Sequence, residues 1–527
     1  MTNRKFYITL LAVLGFSIET IAQGEVQPQN APRLVVNITI DQLRNDYLEA
    51  FIPLYSEKGF KLMLNKGRVY TQASYPFAPI DIASAIASLM TGTTPYYNNI
   101  TGTDWMSRKT LRPVNCVEDT KQEGFLTRKK ASPAKLSTST ITDELKVGTA
   151  GKSVIYAIAP SCEAAILAGG HAANGAVWLD EKNGFWCSSS YYYNSLPSWI
   201  QNFNSLHAPG KLSQNITWEP INELVGNFSY FMSSSIQKPF KHTIKGDHQY
   251  ADYQTSALIN EDISNLAMQC MLSTGMGKDK VTDMLCLTYY AGTYKHQSVT
   301  KCQIELQDTY VRLDYELGRL IEFIEERIGK ENVLFVLTST GYNKEDDADY
   351  ETYRIPSGTF YMNRTSNLLN MYLGGVWGQG NYVEATFSNH IYLNHNLLET
   401  KKISINEAAS KAQEILAMMS GVRNVYTSFQ LITSKNENIE KTRNAFSADH
   451  GGDLVIDVAP GWRVMNEDTQ KSEQYRSSYI QFPIIFYGTG VHAERINKPV
   501  SITQLAPAIA RSIRIRAPNA CSSEPLY

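Results

Sequence analysis

The chain has 527 residues, 43% of them hydrophobic and 19% charged, so it can bury a large core. That length fits one large domain with insertions, or two to three domains at roughly 150 residues each. A formal net charge of −2 excludes a general electrostatic pull toward nucleic acid or an anionic membrane, and any anion site has to be built locally.

Arg4 and Lys5 precede an apolar run over residues 6–18, which is the pattern of a secretory leader and too short to span a bilayer. Cleavage before Gly24 would leave residues 24–527 as the mature chain. The expected location is outside the cytoplasm, in the periplasm or associated with the outer membrane. No later stretch is long and apolar enough for a transmembrane helix. Seven cysteines are an odd number, so at least one is unpaired. Sequence does not give the pairing.

Residues 34–40 (LVVNITI) form an apolar, β-branched run that reads as a buried strand ending at Asp41. Functional groups collect at the carboxyl ends of strands in open α/β sheets, which makes Asp41 a candidate site residue. A small-residue helix follows over residues 82–89, with Asp81 placed to cap it. Further strands are expected near residues 153–158, 176–179, 284–289 and 333–338, with a long helix over 304–328. This alternation predicts an α/β fold, a mostly parallel sheet sandwiched by helices. Residues 180–277 are irregular and rich in aromatics, and read as an inserted cap. Residues 357–449 read as a small α+β insertion, after which residues 453–458 and 483–487 return as strands of the main sheet.

Several segments carry a resemblance. They are VVNITIDQLRNDY (35–47), MTGTTPYYNNITGTDW (90–105), AILAGGHAANGAVW (165–178), LQDTYVRLDYELGRLI (306–321), GGDLVIDVAPGW (451–462), FPIIFYG (482–488) and APNACSSEPL (517–526). In this order they resemble the alkaline phosphatase superfamily. The resemblance is to its secreted phosphomonoesterases and to the related type I phosphodiesterase/nucleotide pyrophosphatases. It implies that superfamily's fold over nearly the whole mature chain.

The resemblance also implies a mechanism: two zinc ions held by carboxylates and imidazoles, a Thr or Ser nucleophile at a helix N-terminus, and Asn, Lys and Arg clamps on phosphoryl oxygens. Carried over position by position, most of this set is missing. Asp41 and His296 are retained as relic ligands. Gly292, Thr340 and Gly341 replace three others, and the last ligand position falls near Ser472. Ile82 stands at the nucleophile position. Thr103, Ser161 and Glu163 replace the clamps, and Glu163 reverses the charge expected there. Two surviving ligands cannot hold two zinc ions, so no metal and no cofactor are expected. His171, Asp449-His450 and the acidic run Glu345-Asp346-Asp347 read as structural or loop residues.

Two functions follow. The preferred reading is a non-catalytic pseudophosphatase of the cell envelope, not an enzyme, that binds an unknown protein or glycan through exposed cap aromatics such as Trp186, Tyr191, Trp199, Trp218 and Phe228. The alternative is a phosphate-ester or phosphodiester hydrolase with a rebuilt active site, using Ser84, Thr91 or Thr340.

Overall fold

The computed structural model describes residues 31–211, 216–227, 239–344, 354–467, 471–474 and 480–527. The expected leader, the acidic run at 345–347 and the cap residue Phe228 lie outside the described residues, as does the side chain of Ser472. No described helix is long and apolar enough to cross a membrane.

Ten strands form the central sheet. In spatial order they are Glu494–Ser501, Arg68–Ser74, Phe482–Gly488, Val333–Ser339, Leu34–Asp41, Asp283–Tyr290, Ile155–Ala159, Gly175–Leu179, Trp186–Ser189 and Gly124–Phe125. The five from Val333–Ser339 to Gly175–Leu179 run parallel to one another. Phe482–Gly488 joins them antiparallel. Every residue of Leu34–Asp41 is buried, as expected of a parallel strand covered on both faces.

Pleating then sorts its side chains. Leu34, Val36, Ile38 and Ile40 enter one apolar core with the long helix Gln303–Ile328 and the helix Leu258–Thr274. Val35 belongs to the opposite core, with the helices Ile82–Thr91, Cys162–Gly169 and Leu505–Ile513. Asn37 follows the same parity and donates to Met90 Sδ at 3.3 Å. Asp41 is therefore delivered to the end of the sheet on the side of helix Ile82–Thr91.

That helix begins where Asp81 accepts from the Ser84 amide and Ser84 Oγ returns the bond to the Asp81 amide, a reciprocal cap. Ala83, Ala85, Ala87 and Ser88 keep it slim enough to lie against Cys162–Gly169. It stops at Gly92, whose φ of 65° is left-handed and whose absent Cβ would lie 2.8 Å from Cys521 Sγ.

The strand expected near residues 453–458 forms, but not in the main sheet. Leu454–Val458 pairs antiparallel with His390–Leu393 and Val422–Thr427, in a separate four-stranded sheet with Val383–Phe387 at one edge. Its Leu454, Ile456 and Val458 share a core with the helices Met362–Trp377 and Ile405–Leu416. An apolar pentapeptide does not state which sheet it joins, and here the amphipathic helix Ile405–Leu416 supplies the partner face.

The aromatic residues of 180–277 are mostly core. Among the described residues, Trp186 and Trp218 are fully buried, Trp199 nearly so, and Tyr191 is exposed. Trp186 lies on a main-sheet strand, and Trp218 donates its indole N–H to Asp308 Oδ2 at 2.6 Å. The expectation of an exposed aromatic face is corrected accordingly: these rings close the segment onto the sheet. No two of the seven cysteines are joined in a disulfide, and six of them are buried.

Candidate functional site

A cavity of about 480 Å³ opens at the carboxyl end of the central strands. One wall comes from residues around the cap of helix Ile82–Thr91, with Asp81, Thr101, Thr103 and Asp104. A second carries His296, Tyr342 and Lys344. The small four-stranded unit closes the third with Phe387, His390 and Phe446. Ile82 is half-buried at the first helical position, packed against the core, and brings no hydroxyl to this space.

Asp41 is buried behind the cavity. Thr340 Oγ1 donates to its Oδ1 at 2.9 Å, and Gln42 Nε2 donates to its Oδ2 at 3.1 Å. Thr340 in turn accepts from the Gln42 amide at 2.9 Å. Burial raises the Asp41 pKa, with the Lys344 charge and these hydrogen bonds pulling it back. His296 is held neutral, its pKa pushed down to about 4 by burial and then by the charge of Lys344. Lys344 is thus the cation that both retained positions sense.

The two glycines among these positions are crowded by side chains from other segments. A Cβ on Gly292 would meet Tyr290 Oη at 2.6 Å and Gln42 Cδ at 2.9 Å. A Cβ on Gly341 would meet the Phe482 ring at 2.6 Å and Tyr75 at 2.8 Å. Among the described residues no group of three or more His, Cys, Asp or Glu side chains is placed to hold a metal ion. These residues do not fit the paired zinc ions that the resemblance implies, because hydroxyls, an amide and aromatic rings fill the ligand space.

The clamp positions are also rewired. Thr103 gives both its amide (2.6 Å) and its hydroxyl (2.8 Å) to Asp81 Oδ2. Ser161 caps helix Cys162–Gly169 by accepting from the Ala164 amide. Glu163, buried, accepts from Asn115 Nδ2 at 3.0 Å, and Asn115 also donates to Asp104 Oδ1 at 3.2 Å. Lys129 approaches Glu163 at 3.7 Å. Each of the three positions is thus taken up by a different local partner.

None of the three hydroxyls named from sequence reaches the cavity. Ser84 is fully buried and spent on Asp81. Thr91 is fully buried and donates to Ala87 O at 2.7 Å. Thr340 is fully buried against Asp41. His171 is structural, bonded at Nδ1 to Asp143 (2.9 Å) and at Nε2 to Leu136 O (3.0 Å).

His450, read from sequence as a loop residue, lies in a turn as expected and stands behind the cavity wall, next to Thr101. Its ring stacks on Trp105 at 4.2 Å and 13°, and its Nε2 lies 3.0 Å from Thr101 Oγ1. The 349 residues between these two positions hide the pair from any local pattern.

The fold is that of a phosphoesterase superfamily, with an open cleft at the carboxyl end of its central strands. The chain belongs to the type I phosphodiesterase/nucleotide pyrophosphatase family, whose sequence profile matches residues 35–480, and so to the alkaline phosphatase superfamily. It is 27% identical to the alkaline phosphatase PhoV of Synechococcus elongatus, over 94% of this chain and 93% of that one. It is 25% identical to the alkaline phosphatase PafA of Elizabethkingia meningoseptica, over 100% and 99%. The crystal structure of wild-type PafA superposes with a TM-score of 0.80, covering 94% of this chain and 98% of that one at 24% identity, which fixes the fold.

These relatives overturn the expectation of a non-catalytic binding or assembly scaffold. Proteins aligned from end to end with this one are named phosphatases, and the matching family is one of phosphodiesterases. The alternative reading, phosphate-ester hydrolysis in a rebuilt site, fits better.

Proposed function

We propose that the chain hydrolyses phosphate esters in this cleft, by a route that does not run through paired zinc ions, and that it prefers diesters to monoesters. What supports the reading is end-to-end kinship with phosphatases combined with an open cavity at the same end of the sheet, lined by hydroxyls, imidazoles and one ammonium. The diester preference follows from charge. Among the described residues, the cavity wall carries the carboxylates of Asp81 and Asp104 and one cation, Lys344. A monoester brings two negative charges into that field and a diester brings one, so the diester meets less repulsion. We further propose export to the periplasm or the outer membrane, with the mature chain beginning near Gly24.

The test is turnover by the purified mature protein of p-nitrophenyl phosphate and bis-p-nitrophenyl phosphate, before and after exhaustive chelation, with metal content measured in parallel. Diester turnover exceeding monoester turnover and surviving chelation is expected. No turnover of either ester would end the reading. So would activity that disappears with the removal of two zinc ions per chain.

A further inference from the structure

Thr101 lines the cavity, and behind it runs a chain of hydrogen bonds that fixes which atom holds each proton. Ser447 Oγ donates its only proton to Asn99 Oδ1 at 2.6 Å. Its lone pairs are then left to accept, from the Asp449 amide at 3.1 Å and from His450 Nδ1 at 3.3 Å. His450 therefore carries its proton on Nδ1, and its Nε2 is a bare acceptor. The partner of that Nε2 is Thr101 Oγ1 at 3.0 Å, so the threonine hydroxyl donates. The ring is only 7% exposed, and the face of Trp105 sets its plane. A hydroxyl at the cavity wall, a base within hydrogen-bond reach and a third group orienting the base are the elements of an activated nucleophile.

We infer that Thr101 is the nucleophile of the rebuilt site, with His450 as its general base and Ser447 and Asn99 as positioning residues. The inference rests on the hydrolase reading and names the residues that would carry it out. Thr101 Oγ attacks phosphorus, and its proton passes to His450 Nε2 as the new O–P bond forms. The P–O bond to the leaving alcohol breaks, and that oxygen takes the proton from Nε2. Water then attacks the phosphothreonine and gives a proton to Nε2. The Thr101 O–P bond breaks, and Thr101 Oγ recovers that proton. His450 keeps its Nδ1 proton on Ser447 throughout. Burial holds the free imidazole neutral, with its pKa down at about 3. The negative charge of a bound phosphate diester favours the imidazolium that each transfer creates. A purely structural tie between two loops would not need its threonine at the cavity wall, nor a ring fixed at both nitrogens and one face.

The test has two arms. In the first, the protein is treated with a neutral alkyl phosphonofluoridate. Thr101 Oγ would displace fluoride and leave a phosphonyl group on Thr101, located by peptide mass spectrometry. Labelling of Thr101 in the wild type and in Thr101→Ser, and at least 100-fold slower labelling in His450→Gln, is expected. In the second arm, diester turnover is measured. Thr101→Val should lose about 10³-fold in kcat, and Thr101→Ser should retain activity. A wild type that turns over diester with no label at Thr101, or a Thr101→Val protein with undiminished kcat, would overturn the inference while leaving the hydrolase reading intact. Label at Thr101 without turnover of any ester would support the activated hydroxyl and sink the hydrolase reading.

Discussion

Reinstating the lost ligands should not restore a metal site, and the cost can be worked from the contacts. In Gly341→His the new Cβ would lie 2.6 Å from Phe482 Cε1 and 2.8 Å from two carbons of Tyr75. Neither ring can step aside: Phe482 and Tyr75 are buried, packed on each other at 5.5 Å, and Tyr75 is pinned by its bond to Ser339 O at 3.1 Å. Overpacking of this kind costs about 1–3 kcal/mol. The left-handed φ of 66° adds roughly 1 kcal/mol or more for a residue with a Cβ. Together the loss is about 2–5 kcal/mol. Gly292→Asp meets softer neighbours, the ends of Tyr290 and Gln42, but displacing Gln42 strips Asp41 of one of its two donors. The assay is urea unfolding of Gly341→His and of the triple variant Gly292→Asp/Thr340→Asp/Gly341→His, with zinc counted by elemental analysis. Lowered unfolding midpoints and no stoichiometric zinc are expected. A triple variant of wild-type stability holding two zinc ions would show that the ligand space is not refilled as described.

Asp262 should make stability fall as pH rises. Burial, aided by Glu261 and Glu316, lifts its pKa to about 8, although Tyr253 donates to it at 2.9 Å. A carboxyl whose folded pKa is raised keeps its proton in the folded state while the unfolded state has lost it. Its stabilising contribution is therefore complete near pH 4 and erodes up to about pH 8, at no more than about 1.4 kcal/mol per pH unit. Asp262→Asn, which can still accept from Tyr253, should flatten that part of the unfolding profile measured from pH 5 to 8.5; an unchanged slope would refute the assignment. Thiol titration should find seven reactive cysteines in denaturant and, in the native protein, rapid reaction only at Cys521, the one that is not buried; fewer than seven in denaturant would reveal a disulfide.

Much of the fold was legible because its central strands are apolar and β-branched and its helices periodic. The run 34–40 reads as a strand and forms one, and Asp81 reads as a cap and is one. The destination of Leu454–Val458 was not legible, since pairing partners are chosen by tertiary packing and either sheet would bury the same side chains. The aromatics of 180–277 misled for a related reason. An irregular, polar segment suggests exposure, but Trp186 and Trp218 are its inward anchors.

The site divides along a similar line. That glycines stand at 292 and 341 was legible. Replacement was not, because Gln42, Tyr290, Tyr75 and Phe482 refill the space from other segments, and Thr101 meets His450 across the whole chain. Electrostatics ties these changes together. Two zinc ions would bring four positive charges to the sheet end, and among the described residues the cavity wall offers one ammonium, Lys344, which acts on Asp41 and His296. The retained Asp41 no longer has a cation to ligate, and it sits with a raised pKa on a threonine hydroxyl and an amide instead. A centre so depleted of positive charge cannot stabilise a phosphoryl dianion as a dinuclear site does. On the proposed reading, chemistry here starts from a substrate of lower charge and from a nucleophile activated by proton transfer, so the buried imidazole behind Thr101, and not the carboxylate at Asp41, is the group whose removal should matter.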